Sequence, residues 1–492
     1  MTPQIDWIAL TVFLLFFLLV TILGFLAARW KVADLNLLHE WGLGGNRFGT
    51  IITWFLLGGD FYTAYTMIAV PALVYAVGAA GFFALPYTII VYPFVFAIMP
   101  RVWQKCRANG YLTAADLVRG EHRQIWLATA VAFTGLLATM PYIALQLVGM
   151  RVAIQALGFT GDLPLAIAFV ILALYTYSSG LRAPAMIAFV KDVMIYAVVL
   201  AAVVIVPVKL GGYGYIFQAA DQAFTAKGGA TGLLLHPAQM LPFASLALGS
   251  ALAAFMYPHT LTGVLSSRSF ETIRRNAILL PAYTVLLGLI ALLGFMAIAA
   301  GIRTKDTSTV VPLLILKIFP NWFVGFSFAA ITIGALVPAA IMSIGAANLF
   351  TRNIWGTFIN DQLSARAEAR IAKLTSLAVK LGALAFIVFL PTEYAIDLQL
   401  MGGIWILQTL PAVISAVCPI PFRISGRGLL AGWVTGMVLG TWLTFGTGLK
   451  PLVVLPVLQQ TYTIYIGLVA LVANLAITWV GSLLAPERGV AG

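Results

Sequence analysis

The sequence predicts an all-α polytopic membrane protein, one domain of thirteen transmembrane helices. Only 9% of its 492 residues are charged and 62% are hydrophobic. Soluble domains carry roughly 25% charged residues. Apolar runs of about 20 residues, enough to cross a bilayer, recur along the whole chain. Basic residues gather in alternate loops between those runs, the pattern of a cytoplasmic face.

The runs are Trp7–Ala28, Ile51–Tyr75, Ala79–Met99, Trp126–Leu157, Leu163–Ser179, Met186–Val208 and Leu241–Leu261. They continue with Ala277–Ile302, Phe323–Phe350, Leu374–Leu390, Ala395–Val417, Gly428–Phe445 and Thr461–Leu484, with Pro391-Thr392 as a tight turn. No Lys or Arg precedes the first run and no small-residue cleavage site ends it, so it is expected to be a span and not a signal peptide. Of the 28 Lys and Arg, 19 fall in one set of loops, six in the other, and Arg151, Lys191 and Lys380 within spans. This places the N-terminus outside and the C-terminus in the cytoplasm of a bacterial-type inner membrane. The net charge of +12 is therefore a topological signal and does not suggest nucleic acid. Cys106 and Cys418 both fall on the cytoplasmic side, where a structural disulfide is not expected. The loop from Arg101 to Gln124 suits a short surface helix, and the long outer loops Gly211–Gln239 and Arg303–Trp322 could carry short helices.

Two spans are interrupted. The second reads Leu57-Gly58-Gly59-Asp60-Phe61-Tyr62-Thr63 at its middle. Each glycine weakens a helix by roughly 1 kcal/mol relative to alanine. A charged aspartate at mid-membrane costs on the order of 3 kcal/mol or more. A break there would leave free carbonyls and the Asp60 carboxylate around a small polar site. The alternative is a kinked structural helix with Asp60 neutral or paired. The seventh span carries Tyr257-Pro258-His259-Thr260, a proline kink flanked by polar groups. Breaks five spans apart are what two inverted five-helix repeats would give, at 51–208 and 241–417, with a site between them. The first helix (7–28) and the trailing pair (428–484) lie outside the repeats.

The ninth span, Gly334-Ala335-Leu336-Val337-Pro338-Ala339-Ala340-Ile341-Met342-Ser343-Ile344, is rich in small residues. That composition suits close packing, and Ser343 adds a hydroxyl for a cation or for its own backbone. Arg151, following Tyr142 and Gln146, could snorkel to outer headgroups or grip a carboxylate through two parallel hydrogen bonds. Zinc, nucleophile-elbow and phosphate-loop motifs are missing, so no enzyme chemistry, metal centre or cofactor is expected.

Asn46-Arg47-Phe48-Gly49, Gly58-Gly59-Asp60, Gly180-Leu181-Arg182, Tyr257-Pro258-His259, Ala339-Ala340-Ile341-Met342-Ser343 and Thr351-Arg352-Asn353-Ile354-Trp355 together resemble the sodium/solute symporter family. Ser178-Ser179-Gly180-Leu181-Arg182-Ala183-Pro184-Ala185 and Phe189-Val190-Lys191-Asp192 look most like its monocarboxylate permease branch. The resemblance implies a leucine-transporter-type fold and cation-coupled import of a small organic anion such as lactate or pyruvate, with no obligatory protein partner. It implies sodium ligands at the carbonyls of Gly58, Phe61 and Ala340 and the hydroxyl of Ser343, with Asp60 beside them. Oxygen ligands suit a hard cation. The family pattern has a second hydroxyl after Ser343, where this chain has Ile344. Proton-coupled relatives of the same fold place a lysine of the sixth span in the vacated sodium position, which here points to Lys191 with Asp192. Lysine in a low-dielectric site can exchange its proton near neutral pH, so a proton is preferred to sodium as coupling ion. Alternatively, Lys191 snorkels to the cytoplasmic headgroups. Candidate substrate contacts are Asp60, Tyr62, Thr63, Tyr65, Gln146, Arg151, Tyr257 and His259. A sodium-coupled carrier of another small solute and a non-transporting solute sensor are the competing expectations.

Overall fold

The computed structural model describes residues 5–30, 34–228, 231–389, 392–419, 424–457 and 460–485. Among them, eleven helices are long and apolar enough to cross a membrane. Two other predicted spans do not meet that length as single helices. Leu163–Ser179 has 17 residues, and the second span is divided.

The helices that position the site are α1 (Trp7–Leu26), α2 (Thr50–Phe61), α3 (Ala64–Val77), α4 (Ala84–Asn109), α5 (Ile125–Ala156), α6 (Leu163–Ser179) and α7 (Arg182–Leu210). They continue with α8 (Pro237–Ala254), α9 (Pro258–Leu265), α10 (Pro281–Ala299), α11 (Asn321–Leu349), α12 (Ala365–Phe389), α13 (Thr392–Leu407), α14 (Gly426–Gly446) and α15 (Ile466–Leu484). The hub is α11, buried on every side from Ser327 to Leu349. It packs on α1, α5, α7 and α12. A helix that is apolar all round belongs at such a centre. Its small residues let neighbours approach: a Cβ on Gly345 would lie 3.0 Å from the backbone of Pro258. The helix runs on into a π-helical turn, Phe350–Ile359.

The expected surface helices form at Ala114–His122, Tyr213–Ala226 and Val310–Ile318. Three expectations need correcting. The last span begins at Ile466, because 461–465 belongs to an antiparallel hairpin of β1 (Leu452–Val457) and β2 (Gln460–Tyr465). β-Branched and aromatic residues favour that pairing, and the Tyr465 backbone N–H donates to Ser245 Oγ, docking the hairpin on α8. The chain is thus helical apart from this one described hairpin. The eleventh span is itself interrupted at Gln408-Thr409, between α13 and a short helix Leu410–Val417. Pro391, half of the expected tight turn, lies outside the described residues.

The third correction concerns the glycines of the second span. The helix breaks at Tyr62-Thr63, a turn after Gly58-Gly59. Thr63 starts α3 by accepting from the Thr66 backbone N–H at 3.2 Å, the geometry of an N-cap. The two glycines are helical and make room. A Cβ on Gly58 would lie 2.1 Å from the Tyr283 ring, and one on Gly59 would lie 2.7 Å from Lys191 Nζ. Pro258 likewise occupies the first turn of a new helix, α9, and not a helix interior. Thr260 Oγ1 donates to the carbonyl of Ala254, at the end of α8, and to that of Tyr257, which also accepts the Leu261 N–H.

Candidate cation and substrate site

The two breaks face each other. Asp60, at the end of α2, is buried, and His259 Nε2 of α9 lies 3.7 Å from its Oδ2. Neither Asp60 oxygen has a hydrogen-bond partner among the described residues, and His259 Nδ1 has none. Tyr142 of α5 and Tyr257 close over the imidazole, with ring centroids 5.5 and 5.2 Å away. Buried polar atoms without partners are rare, and here they converge where two broken helices meet. Gln146, one turn beyond Tyr142, is buried with its Oε1 unpartnered. Gly149 on the same helix packs against Ala64, just past the break.

On the other side of α2, Lys191 reaches in from α7. Its Nζ donates to the carbonyls of Gly59 (2.6 Å) and Tyr62 (3.0 Å), which the helix end leaves free. Asp192 Oδ1 forms an ion pair with it at 2.8 Å. Tyr283 of α10 donates its hydroxyl to Asp192 Oδ2 at 2.6 Å, and Tyr62 donates to the Tyr283 carbonyl. Lys191 is wholly buried, so it does not snorkel. It ties α2, α7 and α10 together at the break.

The carbonyls it uses lie one residue after Gly58 and Phe61, about 100° further round the helix. Three of the four expected sodium ligands each accept one hydrogen bond. Gly58 O accepts the Tyr62 N–H, and Ala340 O accepts the Ser343 hydroxyl at 2.8 Å. Ile344 is fully buried and supplies no oxygen. Ser343 in turn accepts from Ser376 of α12, which accepts from Lys380.

Arg151 stands apart. It pairs with Asp162 at 2.8 Å and donates to the Ile387 carbonyl at 2.9 Å, bridging the α5–α6 turn to α12. No bond joins it to Asp60 or His259. Thr63 is engaged in capping, and the side chains of Phe61 and Tyr65 lie outside the described residues. Sequence reasoning missed Tyr283, Ser376 and Lys380 as parts of this region. Lys380 carried a signal, a charge inside a span, whereas Tyr283 and Ser376 carried none.

Toward the basic-loop side, a cavity of about 350 Å³ is lined by Trp103, Tyr111, Leu112, Leu265, Arg352 and Glu368. Leu112 and Leu265 also line a small void of about 20 Å³ that reaches Pro258 and Gly345. The rim is braced by ion pairs: Arg352 to Asp116 and Glu368, and Arg182 and Arg47 to Glu40.

The profile of the sodium:solute symporter family matches residues 41–418. A monocarboxylate transport permease protein of Rhizobium johnstonii is 60% identical over 489 residues, covering 99% of each chain. An uncharacterized symporter of Bacillus subtilis, YodF, is 31% identical over 479 residues, 95% of this chain and 91% of the relative. A Na+-coupled sialic acid symporter, solved in a substrate-bound outward-open state, superposes with a TM-score of 0.81 over 98% of each chain at 13% identity, so it shares the fold. The chain therefore belongs to the sodium:solute symporter family, as a multi-pass, cation-coupled membrane symporter and not an enzyme.

Proposed function

We propose that the protein imports a small monocarboxylate, such as lactate or pyruvate, by alternating access in a bacterial plasma membrane, with a proton as the coupling ion. In this reading the chain crosses thirteen times from an outside N-terminus. Two inverted five-helix repeats, 51–208 and 241–417, rock around the paired breaks. The name of the Rhizobium relative supports the substrate class. Asp60, His259, Tyr142, Tyr257 and Gln146 offer the polar and aromatic surroundings a small acid needs. Tyr62, Thr63, Tyr65 and Arg151 remain second-rank contacts.

Lys191 carries the case for the proton. Its ammonium bridges free carbonyls of the broken helix and a carboxylate on α7, a role that a bound cation would otherwise fill. Losing the proton would remove the charge that pairs with Asp192 and weaken the hold on the Gly59 and Tyr62 carbonyls, so protonation and helix position are coupled. Sodium is the second reading. The family's name and the sialic acid symporter favour it, with Gly58, Phe61, Ala340 and Ser343 as ligands.

The test is uptake of labelled lactate and pyruvate by purified protein in liposomes. One arm has an inward proton gradient without sodium, and the other has a sodium gradient at equal pH. Accumulation above protein-free vesicles in the first arm is the expected result. Accumulation in the second arm alone assigns sodium. Binding without accumulation in either arm makes the protein a sensor.

A further inference from the structure

Three Lys or Arg side chains are buried among the described residues: Arg182, Lys191 and Lys380. Arg182 has Glu40 and Lys191 has Asp192. Lys380 has no carboxylate within ion-pair distance among the described residues. Its one hydrogen bond goes to Ser376 Oγ, 2.8 Å away and one turn back on α12. Ser376 donates to Ser343 Oγ at 3.1 Å, and Ser343 donates to the Ala340 carbonyl. Every proton in this relay points away from the lysine. Two hydrogen bonds in series hold Nζ within about 6 Å of the Ser343 hydroxyl.

We infer that Lys380 is a specificity-determining residue for the coupling ion: its ammonium, held behind Ser343 by Ser376, excludes sodium from the Ala340–Ser343 wall of the cation site. The inference rests on the reading of Ala340 and Ser343 as that wall. At an effective dielectric constant of about 20, a like charge about 7 Å away weakens cation binding by roughly tenfold or more. Nothing on α12 or α11 beside the relay balances that charge. The relay also aims the Ser343 proton at Ala340 O, and each of these two oxygens already accepts one hydrogen bond.

The experiment compares wild type, Lys380→Met, Lys380→Gln and Lys380→Arg in thermal-shift titrations with sodium chloride against choline chloride. Wild type and Lys380→Arg are expected to respond weakly to sodium. The Met and Gln variants should bind it at least tenfold more tightly, and vesicles holding them should gain sodium-driven uptake. Two neutral variants guard against one that fails to fold. If neither binds sodium more tightly than wild type, the inference is overturned. Sodium-driven accumulation by wild type would instead remove the proton-coupled reading, and the ratio of sodium affinities would still decide the role of Lys380.

Discussion

Two lysines lie inside the same bundle in opposite circumstances. Lys191 has two backbone carbonyls and a carboxylate, which itself accepts a tyrosine hydroxyl. Lys380 has one neutral hydroxyl. The first site is locally neutral and structurally binding, since three helices meet on it. The second leaves Lys380 beside α11 with no carboxylate partner among the described residues. A buried charge in a membrane is costly unless paired. The pair at Lys191 therefore suits a group that must hold the break together, and the solitary Lys380 suits a group whose field is its function.

The sharpest way to break this contrast is Lys191→Met. It strands Asp192, and removing one partner of a buried pair costs about 3–5 kcal/mol. A steep fall in Tm and loss of proton-driven uptake are expected. The double variant Lys191→Met/Asp192→Asn should regain most of the stability without regaining accumulation. Recovery of both would make the pair merely structural.

Asp60→Asn tests whether the other side of α2 depends on charge. Shape is kept and the carboxylate lost, so Tm should stay close to wild type while gradient-driven accumulation largely disappears. Normal accumulation would leave Asp60 a structural residue beside His259.

Arg151→Gln is expected to act less. Its bonds to Asp162 and Ile387 fix a helix junction, and a partly exposed ion pair contributes about 1 kcal/mol or less. KM for lactate should change less than twofold. A roughly tenfold rise, worth about 1.4 kcal/mol, would return Arg151 to the substrate. The smallest effect is expected from Lys380→Met on stability. No carboxylate is stranded, and an apolar chain of similar volume replaces an unbalanced charge, so Tm should hold or rise.

Much of this contrast was legible in the sequence. Asp60 and Pro258 marked the two interrupted spans because acids and prolines are conspicuous in apolar runs, and Lys191-Asp192 stood out for the same reason. What the sequence could not carry was distance. Gly58 and Gly59 looked like the break itself, yet they are small because Tyr283 and Lys191 approach from other helices. Ser376 and Ser343, 33 residues apart, become a relay only when α11 and α12 pack. Thr461 to Tyr465 ran into the last apolar stretch without a boundary, so hydropathy alone hid the hairpin. Arg151 read as a free cation because Ile387, which accepts from it, offers only a backbone carbonyl, a group that no sequence pattern advertises.

The central claim is that the ion carried with the substrate is a proton held at Lys191. The most direct measurement is lumenal pH, followed with a trapped dye in sodium-free vesicles after external lactate is added. Wild-type vesicles should acidify faster than protein-free vesicles, which report passive permeation of the undissociated acid, and Lys191→Met vesicles should match the protein-free rate. Wild-type acidification no faster than the protein-free rate, with lactate accumulating only when sodium is supplied, would contradict it.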